Sequence, residues 1–555
     1  MSVYSVNDAS QTSQKWLAFS AWLIVPPLFG LAAVLLGQDA NWDLRNYHYY
    51  NPYAFLNHRM DFDILPSQVA NFYNPLLYVP FYYVVKLLPP KGVGFFLGWI
   101  QGMNFPLILA IARQLILPAD NTATSFRMKE LICFGVSLVG MSGAGNISEL
   151  GTVFSDNLLS LLILLSLLLI LSNMKRFWGI SLKNRMVAVI IAGFLAGTAA
   201  GLKQPAAIFS VGLCAAFFFL ELPFIHRFWM SFVFGIGVLV GIAASGGYWL
   251  YKMWEQFRNP FFPYFNLLFQ SPMATIGDYR DARFIPVTPG GALISPFFFG
   301  FAPYKLSEVF FQDLRIPLLY VMLLAAGVHR LAHLFSVHPM AESPPCDPAR
   351  TSGMRFLLAA GIISYLAWMR LFGIFRYALI FEMLAPLGIW MILDRMITKS
   401  RTKLATAGVI FALILGTLVP ADWGRVPWVE DYFGADIPAI ARPEDTIILM
   451  TGTSPTSYLI PLFPKEVRFI RIQSYFTGPS SHPNGFDLRM RGIVAGHTGP
   501  LYVLYRSYEK ASTILALQAY GLKQQKGSRR VLQPHIESEM PFPLYLYSVS
   551  RNDPA

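Results

Sequence analysis

The stretch from Gly37 to Pro75 reads GQDANWDLRNYHYYNPYAFLNHRMDFDILPSQVANFYNP and separates the first long apolar run from the next. It is too polar to cross a bilayer and too rich in Tyr and Asn for an ordinary linker. Most of the charged side chains among the first 100 residues lie here. We interpret residues 38–74, the first polar loop, as a membrane-surface loop that carries an active site, with the rest of the chain as its scaffold.

The composition of the whole chain is that of a membrane protein. Its 555 residues are 55% hydrophobic and only 13% charged, whereas soluble domains carry roughly 25% charged residues. Apolar runs near the length of a bilayer span recur along the chain. Such runs cross as helices, because lipid cannot satisfy open backbone groups. We therefore expect an α-helical polytopic protein.

About twelve apolar runs lie between residues 16 and 420, which predicts about 11–13 transmembrane helices. The polar residues 1–15 form an N-terminal tail, and the run after them is too long for a signal peptide. Basic residues gather in short loops, which the positive-inside bias assigns to the cytoplasm. The net charge of +12 follows from this bias, so we expect no nucleic-acid partner. Lys175 and Arg350 mark two such loops, and the clearest loop carries Arg395, Lys399, Arg401 and Lys403.

The count of spans leaves one conflict. Counting outward from the last basic loop places residues 252–315 and everything after 421 outside the membrane. Strict alternation back through every run, however, places the first polar loop inside. One short run therefore does not cross, or one basic loop is misassigned. The proline-rich run at 75–89 is the first candidate for not crossing, and the run at 130–144 is the second. We expect the first polar loop to lie outside.

The composition changes near residue 421. Residues 421–555 alternate four strand-like runs with one helical pattern, which predicts a small external, periplasmic α/β domain after the transmembrane domain of residues 16–420. The TGTSPTS run in this segment lacks the Lys of a P-loop, and no dinucleotide fingerprint occurs. The strand-like runs are TIILMTG, VRFIRI, LYVLYRS and LYLYSVS, and the helical pattern is ASTILALQAYGL.

Asp43 is the leading catalytic candidate. It follows the first apolar run closely and lies among aromatic residues. A partly desolvated carboxylate can be tuned toward neutral pH and act as a general base. The alternatives are a solvated loop residue or the N-cap of a short amphipathic helix. The neighbouring candidates for substrate binding are Arg45, Tyr47 and His48.

Asp61-Phe62-Asp63 has the spacing of the DxD metal motif of nucleotide-sugar transferases. A divalent cation here, Mg²⁺ or Mn²⁺, needs further oxygen ligands from the fold. The alternative is a polar turn before Pro66. No cofactor is certain from the sequence.

Further candidates lie at the ends of apolar runs. Glu149 and Asp156 are seven residues apart, a spacing that would place both on one helical face. Ionisable groups at helix ends often mark a substrate path, and helix capping is the alternative. Lys203, in AAGLKQPAAIF, sits between two apolar runs. It suits a phosphate contact, or it extends to a polar interface.

Arginines outside the first polar loop complete the set. Arg280 and Arg283 lie in GDYRDARF, within a long external loop. Arg suits phosphate through its bidentate fork, and the alternative is an internal Arg–Asp pair that holds the loop. Arg376, followed by Tyr377, lies at the outer start of a span. It suits a lipid phosphate, with an interfacial anchor as the alternative.

The pattern resembles a known superfamily. A first span is followed by an external loop with an early Asp, Asp43, and a Tyr- and Asn-rich stretch. Asn74–Tyr78 (NPLLY) then begins the next apolar run, and a later tract ends in a polar turn with Asp156. This resembles the GT-C integral membrane glycosyltransferases, which include the protein O-mannosyltransferases and the lipid A aminoarabinose transferases. In those families the segment is often Pro-Pro-Leu-Tyr, and here Asn74 replaces the first Pro.

The resemblance implies an inverting transfer on the outer face, from a sugar carried on polyprenyl phosphate. The acceptor would be a lipid-linked or cell-envelope glycan, a lipid or a protein, in a bacterial inner membrane. Asp43 matches the position of the family's catalytic carboxylate. Lys203 and Arg376 are chosen for the donor phosphate on electrostatic grounds. The alternatives are a transporter or flippase of lipid-linked glycan, to which the Lys203-Gln204-Pro205 break is suited, and a non-catalytic assembly protein.

Overall fold

The computed structural model describes residues 19–117, 123–177, 182–334, 348–479, 482–537 and 540–552, so the N-terminal tail of residues 1–15 lies outside the described residues. The protein is a helical membrane protein with a C-terminal sheet, as expected from its composition. Within the described ranges, six helices are long and apolar enough to span a bilayer. They are Phe19–Leu36, Pro90–Ile116, Phe224–Phe257, Arg315–Ala332, Pro348–Leu371 and Phe375–Met396.

Helices follow the apolar runs and break where Pro, Gly or polar residues intervene. The longer ones are Val25–Leu36, Pro90–Gly102, Asn104–Ile116, Ala123–Met141, Asp156–Ser172, Leu182–Leu202, Ala207–Ala216, Phe224–Phe257, Arg315–Leu334, Pro348–Leu371, Leu379–Met396 and Ser400–Gly416. The shorter ones are Tyr50–Leu56, Val79–Leu87, Ala144–Glu149, Met174–Phe177, Asn266–Phe269, Pro289–Ile294 and Phe298–Phe301.

The apolar run at 75–89 is too short to span as a helix. It begins with a 3-10 turn, Pro75–Tyr78, in which the Asn74 side chain accepts a hydrogen bond from the Leu76 N–H at 3.1 Å. The helix Val79–Leu87 then has 9 residues and rises about 13 Å. A hydrocarbon core is about 30 Å thick. This length agrees with a run that does not cross.

By their contacts, the described residues group into two compact units. Among the described residues, the first unit draws on 19–35 and on those within Phe95–Gly247 and Asp281–Asp422, and its regular structure is helical. The second unit draws on Leu36–Gly94, Tyr248–Arg280 and Trp423–Ala555, and it holds the sheets.

Helices of the first unit approach one another through small residues. A Cβ added at Gly193 would lie 2.2 Å from the Phe234 carbonyl oxygen, and one at Gly197 would lie 2.1 Å from the Val238 carbonyl oxygen. Leu182–Leu202 and Phe224–Phe257 therefore pack backbone to backbone. Small residues at such contacts are typical of membrane helices, where close van der Waals packing replaces a hydrophobic driving force.

The main sheet of the second unit is mixed. Ile447–Met450 pairs in parallel with both Arg468–Arg471 and Leu501–Arg506. Leu544–Arg551 pairs antiparallel with Leu501–Arg506. It also pairs antiparallel with two short strands, Leu522–Gln524 and Arg530–Leu532. All four predicted strands and the predicted helix, here Lys510–Ala519, are present. The elements not predicted are the helix Gly485–Gly496 and the strands Leu522–Gln524 and Arg530–Leu532.

The first polar loop is part of the second unit's core. Ile64 forms a parallel bridge with Ile470: its N–H donates to the Phe469 carbonyl, and its own carbonyl accepts from the Arg471 N–H, each at 2.9 Å. Gln38–Asp39 also pairs with Arg425–Val426. One buried core contains Ile64, Leu65, Val69, Phe72, Trp249, Met253, Phe262, Ile470 and Val503. Because a single core cannot straddle a bilayer, these segments favour placement on one side of the membrane.

Candidate functional site

Five of the predicted site residues come together in the first unit: Glu149, Asp156, Lys203, Arg376 and Tyr377. We call them the Lys203 cluster. The Lys203 ammonium lies 2.6 Å from the Asp156 carboxylate and 5.1 Å from the centre of the Tyr377 ring. The charges of Asp156, Lys203 and Arg376 act on the pKa of the Glu149 carboxyl group. Four separate segments of sequence thus supply one polar group of side chains.

Asp156 and Lys203 each sit at a helix end. Asp156 is the first residue of Asp156–Ser172, where the helix dipole favours a negative charge. Ser155 makes no side-chain cap there. Leu182–Leu202 stops before Lys203, whose backbone is extended, and a 3-10 turn through Pro205 follows. Proline cannot continue the preceding helical hydrogen-bond ladder, so the helix breaks here. The Lys203 side chain then lies beside the Asp156 carboxylate instead of in solvent.

Glu149 ends a separate short helix, Ala144–Glu149. The expectation that Glu149 and Asp156 share a helical face is therefore wrong, because residues 150–155 are not helical. A turn held by buried amides brings the two together instead. The Gln101 side chain accepts from the Gly151 N–H at 2.6 Å and donates to the Thr152 carbonyl at 3.0 Å.

The start of Ala144–Glu149 is fixed by buried acids that the sequence did not single out. The Glu382 carboxylate accepts from the Gly145 N–H at 3.1 Å, and the Asp313 carboxylate accepts from the Ala144 N–H at 3.0 Å. Arg315 pairs with Asp313 at 2.7 Å, and both side chains are fully buried. Buried charges with such partners hold the short helix, and with it Glu149, in a defined place.

The Glu149 carboxyl group is itself fully buried, at 0% exposure. Neither oxygen makes a hydrogen bond of standard geometry, although the Asn157 N–H is near enough to lower the pKa. Burial, followed by the negative charge of Asp156, raises the pKa of Glu149 well above its usual range, and Lys203 and Arg376 oppose this only in part. A carboxyl group with a raised pKa at a polar site is a candidate proton donor or acceptor.

Arg376 follows a sharp backbone turn. Gly373 has φ +64°, and a Cβ there would meet the Phe284 carbonyl oxygen at 2.1 Å, so only glycine fits. The 3-10 helix Phe375–Ala378 then begins the span Phe375–Met396. The half-buried Arg376 guanidinium lies 4.6 Å from the centre of the Phe154 ring, a distance typical of a cation–π contact.

A small pocket opens beside three members of the cluster, Asp156, Arg376 and Tyr377, whereas Lys203 and Glu149 do not line it. The rest of its lining is Ser160, Phe209, Pro205 and aliphatic side chains. Its volume of about 20 Å³ is room for one water molecule, not for a sugar. Two cations, Lys203 and Arg376, thus lie with the Asp156 carboxylate and a buried carboxyl group whose pKa is raised. Of the two cations, Arg376 lines the pocket, where its N–H groups could donate to an anionic group.

Asp43 lies in the second unit and is half-buried. Its side chain does not cap the following turn. Asn41 does so instead, accepting from the Leu44 N–H at 2.8 Å. Asp43 is within electrostatic range of the Tyr475 phenol, and the exposed Trp42 ring lies 6.4 Å from the Tyr475 ring. The capping alternative for Asp43 is wrong, and its catalytic role stays a prediction.

The three neighbours of Asp43 are buried inside the second unit. The Arg45 guanidinium lies 2.6 Å from the Glu537 carboxylate, which also pairs with Arg506. Tyr47 packs edge-on against aromatic rings, and His48 stacks on Tyr78 with ring centres 4.1 Å apart. Their exposures are 8%, 5% and 1%. Such burial gives no support to direct substrate contact by Arg45, Tyr47 and His48.

The Asp61 and Asp63 side chains do not converge. Asp63 is buried and accepts hydrogen bonds from Arg59, from the Tyr50 hydroxyl at 2.9 Å and from the Phe469 N–H at 2.9 Å. Asp61 is exposed and accepts from Gln256 at 2.8 Å. Within the described ranges, no group of three or more His, Cys, Asp or Glu side chains could hold a metal ion. The geometry does not support the Mg²⁺ or Mn²⁺ site predicted from the DxD spacing.

The two loop arginines have partners of their own. Arg280, in the second unit, lies 2.7 Å from Asp278. Arg283, in the first unit, lies 2.6 Å from Asp281 and 3.4 Å from Glu308. These are the local Arg–Asp pairs considered as the alternative. The pKa of Asp281 is lowered mainly by its hydrogen bond to Arg283 and slightly by Arg376.

Sequence reasoning missed the buried ionic residues that support these sites. The Asp313-Leu314-Arg315 triplet at the start of an apolar run is the signal that could have indicated a paired charge. Neither a protein-family model nor a curated protein matches this chain.

Proposed function

We propose that the protein is a membrane glycosyltransferase that uses a polyprenyl-phosphate-linked sugar. The observation that carries the proposal is the Lys203 cluster. It brings two cations, a paired carboxylate and a buried carboxyl group together at the ends of apolar helices, and a small pocket opens beside Asp156 and Arg376. Charged groups at such positions are costly in a membrane and are usually retained for function.

The cluster would bind the donor phosphate. Arg376 offers several N–H donors and Lys203 a compact positive charge, and both suit phosphate oxygens. Binding would draw Lys203 partly away from Asp156. The raised pKa of Glu149 would lessen the repulsion between its carboxyl group and the phosphate. The cations would also stabilise the polyprenyl phosphate as it leaves.

Asp43 is proposed as the general base, on the strength of its position after the first span and of the GT-C resemblance. An acceptor hydroxyl would attack the anomeric carbon and lose its proton to Asp43. The bond from the anomeric carbon to the phosphate oxygen would break, and the phosphate would retain the electron pair. This is a single displacement with inversion, and general-base help of this kind contributes about 10²- to 10⁴-fold.

The proposal also covers the arrangement and number of the membrane spans. We infer a GT-C-like arrangement of about 11–13 spans, counting shorter apolar helices such as Asp156–Ser172 with the long ones. The acceptor is proposed to be a lipid-linked or envelope glycan, a lipid or a protein, on the outer face of a bacterial inner membrane. Arg280 and Arg283 remain weaker candidates for substrate contact.

One observation favours a second function. The helix break at Lys203-Gln204-Pro205 is typical of transporters, where interrupted helices place backbone and charge beside a substrate. A flippase would move a lipid-linked glycan without releasing polyprenyl phosphate. Product release therefore separates the two functions.

Binding of undecaprenyl phosphate to the purified full-length protein tests the donor site. Arg376→Met should weaken binding about 10- to 100-fold, because a charge-assisted contact is lost. Arg370→Met is the matched control: Arg370 is exposed, six residues earlier, and outside the Lys203 cluster. It should leave the affinity unchanged. Equal affinities of wild type and Arg376→Met would contradict the proposal.

A further inference from the structure

A second polar pocket lies at the other end of the Asp156–Ser172 helix. Its lining includes Arg113, Leu115, Leu171, Ser172, Lys175 and Arg350. That helix has 17 residues and is about 25 Å long, which is close to the thickness of a hydrocarbon core. The pocket and the Lys203 cluster are therefore separate sites, near opposite surfaces of the membrane.

The pocket is large enough for a small anion. Its volume is about 140 Å³, well above the roughly 10–15 Å³ that a single water needs on the same measure. Leucine side chains from two helix ends line part of it, beside the basic groups. Apolar side chains next to basic side chains suit an amphipathic ligand that has an anionic headgroup and an apolar chain.

Cations outnumber carboxylates around this pocket among the described side chains. Arg113 pairs with Glu130 at 2.9 Å. Arg350 and Lys403 both pair with Asp394, at 2.9 Å and 2.5 Å. One carboxylate is thus shared by two cations.

A further lysine lies at this pocket. Lys175 lines the pocket itself. Among the described side chains that line the pocket, three are therefore cationic, Arg113, Lys175 and Arg350, and none is a carboxylate.

We propose that this basic pocket binds the phosphate headgroup of an anionic phospholipid in the cytoplasmic leaflet. Basic pockets between helix ends on the cytoplasmic side are sites at which anionic lipid headgroups bind. The positive-inside bias puts Lys175, Arg350 and Lys403 on that side. The phosphate would contact Lys175 and Arg350, and the glycerol and acyl chains would lie along the leucines. The site does not depend on the proposed transferase activity.

The test measures phosphatidylglycerol retained by the full-length protein after extraction, with phosphatidylcholine as the neutral lipid. Lys175→Gln should reduce retained phosphatidylglycerol about fivefold, as expected for one basic residue near a membrane surface. Ser172→Asp, which adds a negative charge to the pocket and leaves its ion pairs in place, should reduce it at least as much. Lys399→Gln is the matched control, because Lys399 is exposed and outside the pocket, and it should have no effect.

Three outcomes would overturn the proposal. The first is equal loss of phosphatidylglycerol in Lys175→Gln and Lys399→Gln, which indicates general surface attraction. The second is equal retention of phosphatidylcholine. The third is competition by inorganic phosphate at millimolar concentration, which indicates a site for free phosphate instead of a lipid.

Discussion

Variants of the Asp156–Lys203 ion pair can distinguish its contribution to stability from the role of Lys203 in donor binding. Its charges are 2.6 Å apart, and the side chains are 10% and 15% exposed. Coulomb's law at an effective dielectric constant near 20 gives about 6 kcal/mol of attraction at that distance, and desolvation cancels much of it. Removing one member leaves the other buried without its partner, so Lys203→Met or Asp156→Asn should each lower the unfolding free energy by about 3 kcal/mol.

The double variant should recover most of that loss, because neither charge is left unpaired. We expect the double variant to lose only about 1 kcal/mol, against about 6 kcal/mol for the two single losses added together, which is a coupling energy of about 5 kcal/mol, measured by unfolding in mild detergent. Donor binding should behave differently. Lys203→Met should weaken undecaprenyl phosphate binding about 10- to 100-fold, and the double variant should remain weak. Additive losses of stability would refute the ion-pair reasoning, and restored binding in the double variant would refute the donor role of Lys203.

Two further predictions concern the support of the cluster. Gly373→Ala should destabilise the protein by about 2 kcal/mol or more, because alanine is strained at φ +64° and its Cβ would meet the Phe284 carbonyl. Gly361→Ala, with no atom within 4 Å of its added Cβ, should be neutral or stabilising by up to about 1 kcal/mol, and equal effects would contradict the backbone argument. Glu149 has a raised pKa, so its burial favours the folded state fully below its unfolded pKa and progressively less as pH rises toward the folded pKa. Glu149→Gln should therefore flatten the fall of the melting temperature with pH, and an unchanged pH profile would show that Glu149 is not protonated in the fold.

The sequence was sufficient for the parts of the fold that depend on local pattern. Apolar runs indicated the spanning helices, and alternating runs indicated strands such as Ile447–Met450 and Leu501–Arg506. Charges at the ends of apolar runs indicated Asp156, Lys203 and Arg376, because a lone charge there needs a partner. The structure brings those side chains together.

The sequence could not predict contacts between residues that are far apart in the chain. No local pattern shows that Ile64 joins the edge of a sheet formed some 400 residues later, although their backbones exchange hydrogen bonds. The sequence therefore predicts an exposed membrane-surface loop, whereas most residues of the first polar loop are buried. The same limit applies to Arg45, whose partner Glu537 is close only in the folded chain, and to Asp63, whose carboxylate is occupied by Arg59.

The most direct test of the transferase proposal is release of undecaprenyl phosphate from undecaprenyl-phosphate-linked sugars. Purified protein in lipid nanodiscs would be supplied with a panel of such donors and with cell-envelope extract as the source of acceptors. We predict turnover by the wild type and a loss of about 10²- to 10⁴-fold in Asp43→Asn, with Asn41→Ala as a control that weakens the local turn and leaves the carboxylate. Wild-type turnover by Asp43→Asn would contradict the role of Asp43. Movement of the donor across the bilayer by the wild type with no phosphate released would contradict the transferase proposal and favour a flippase.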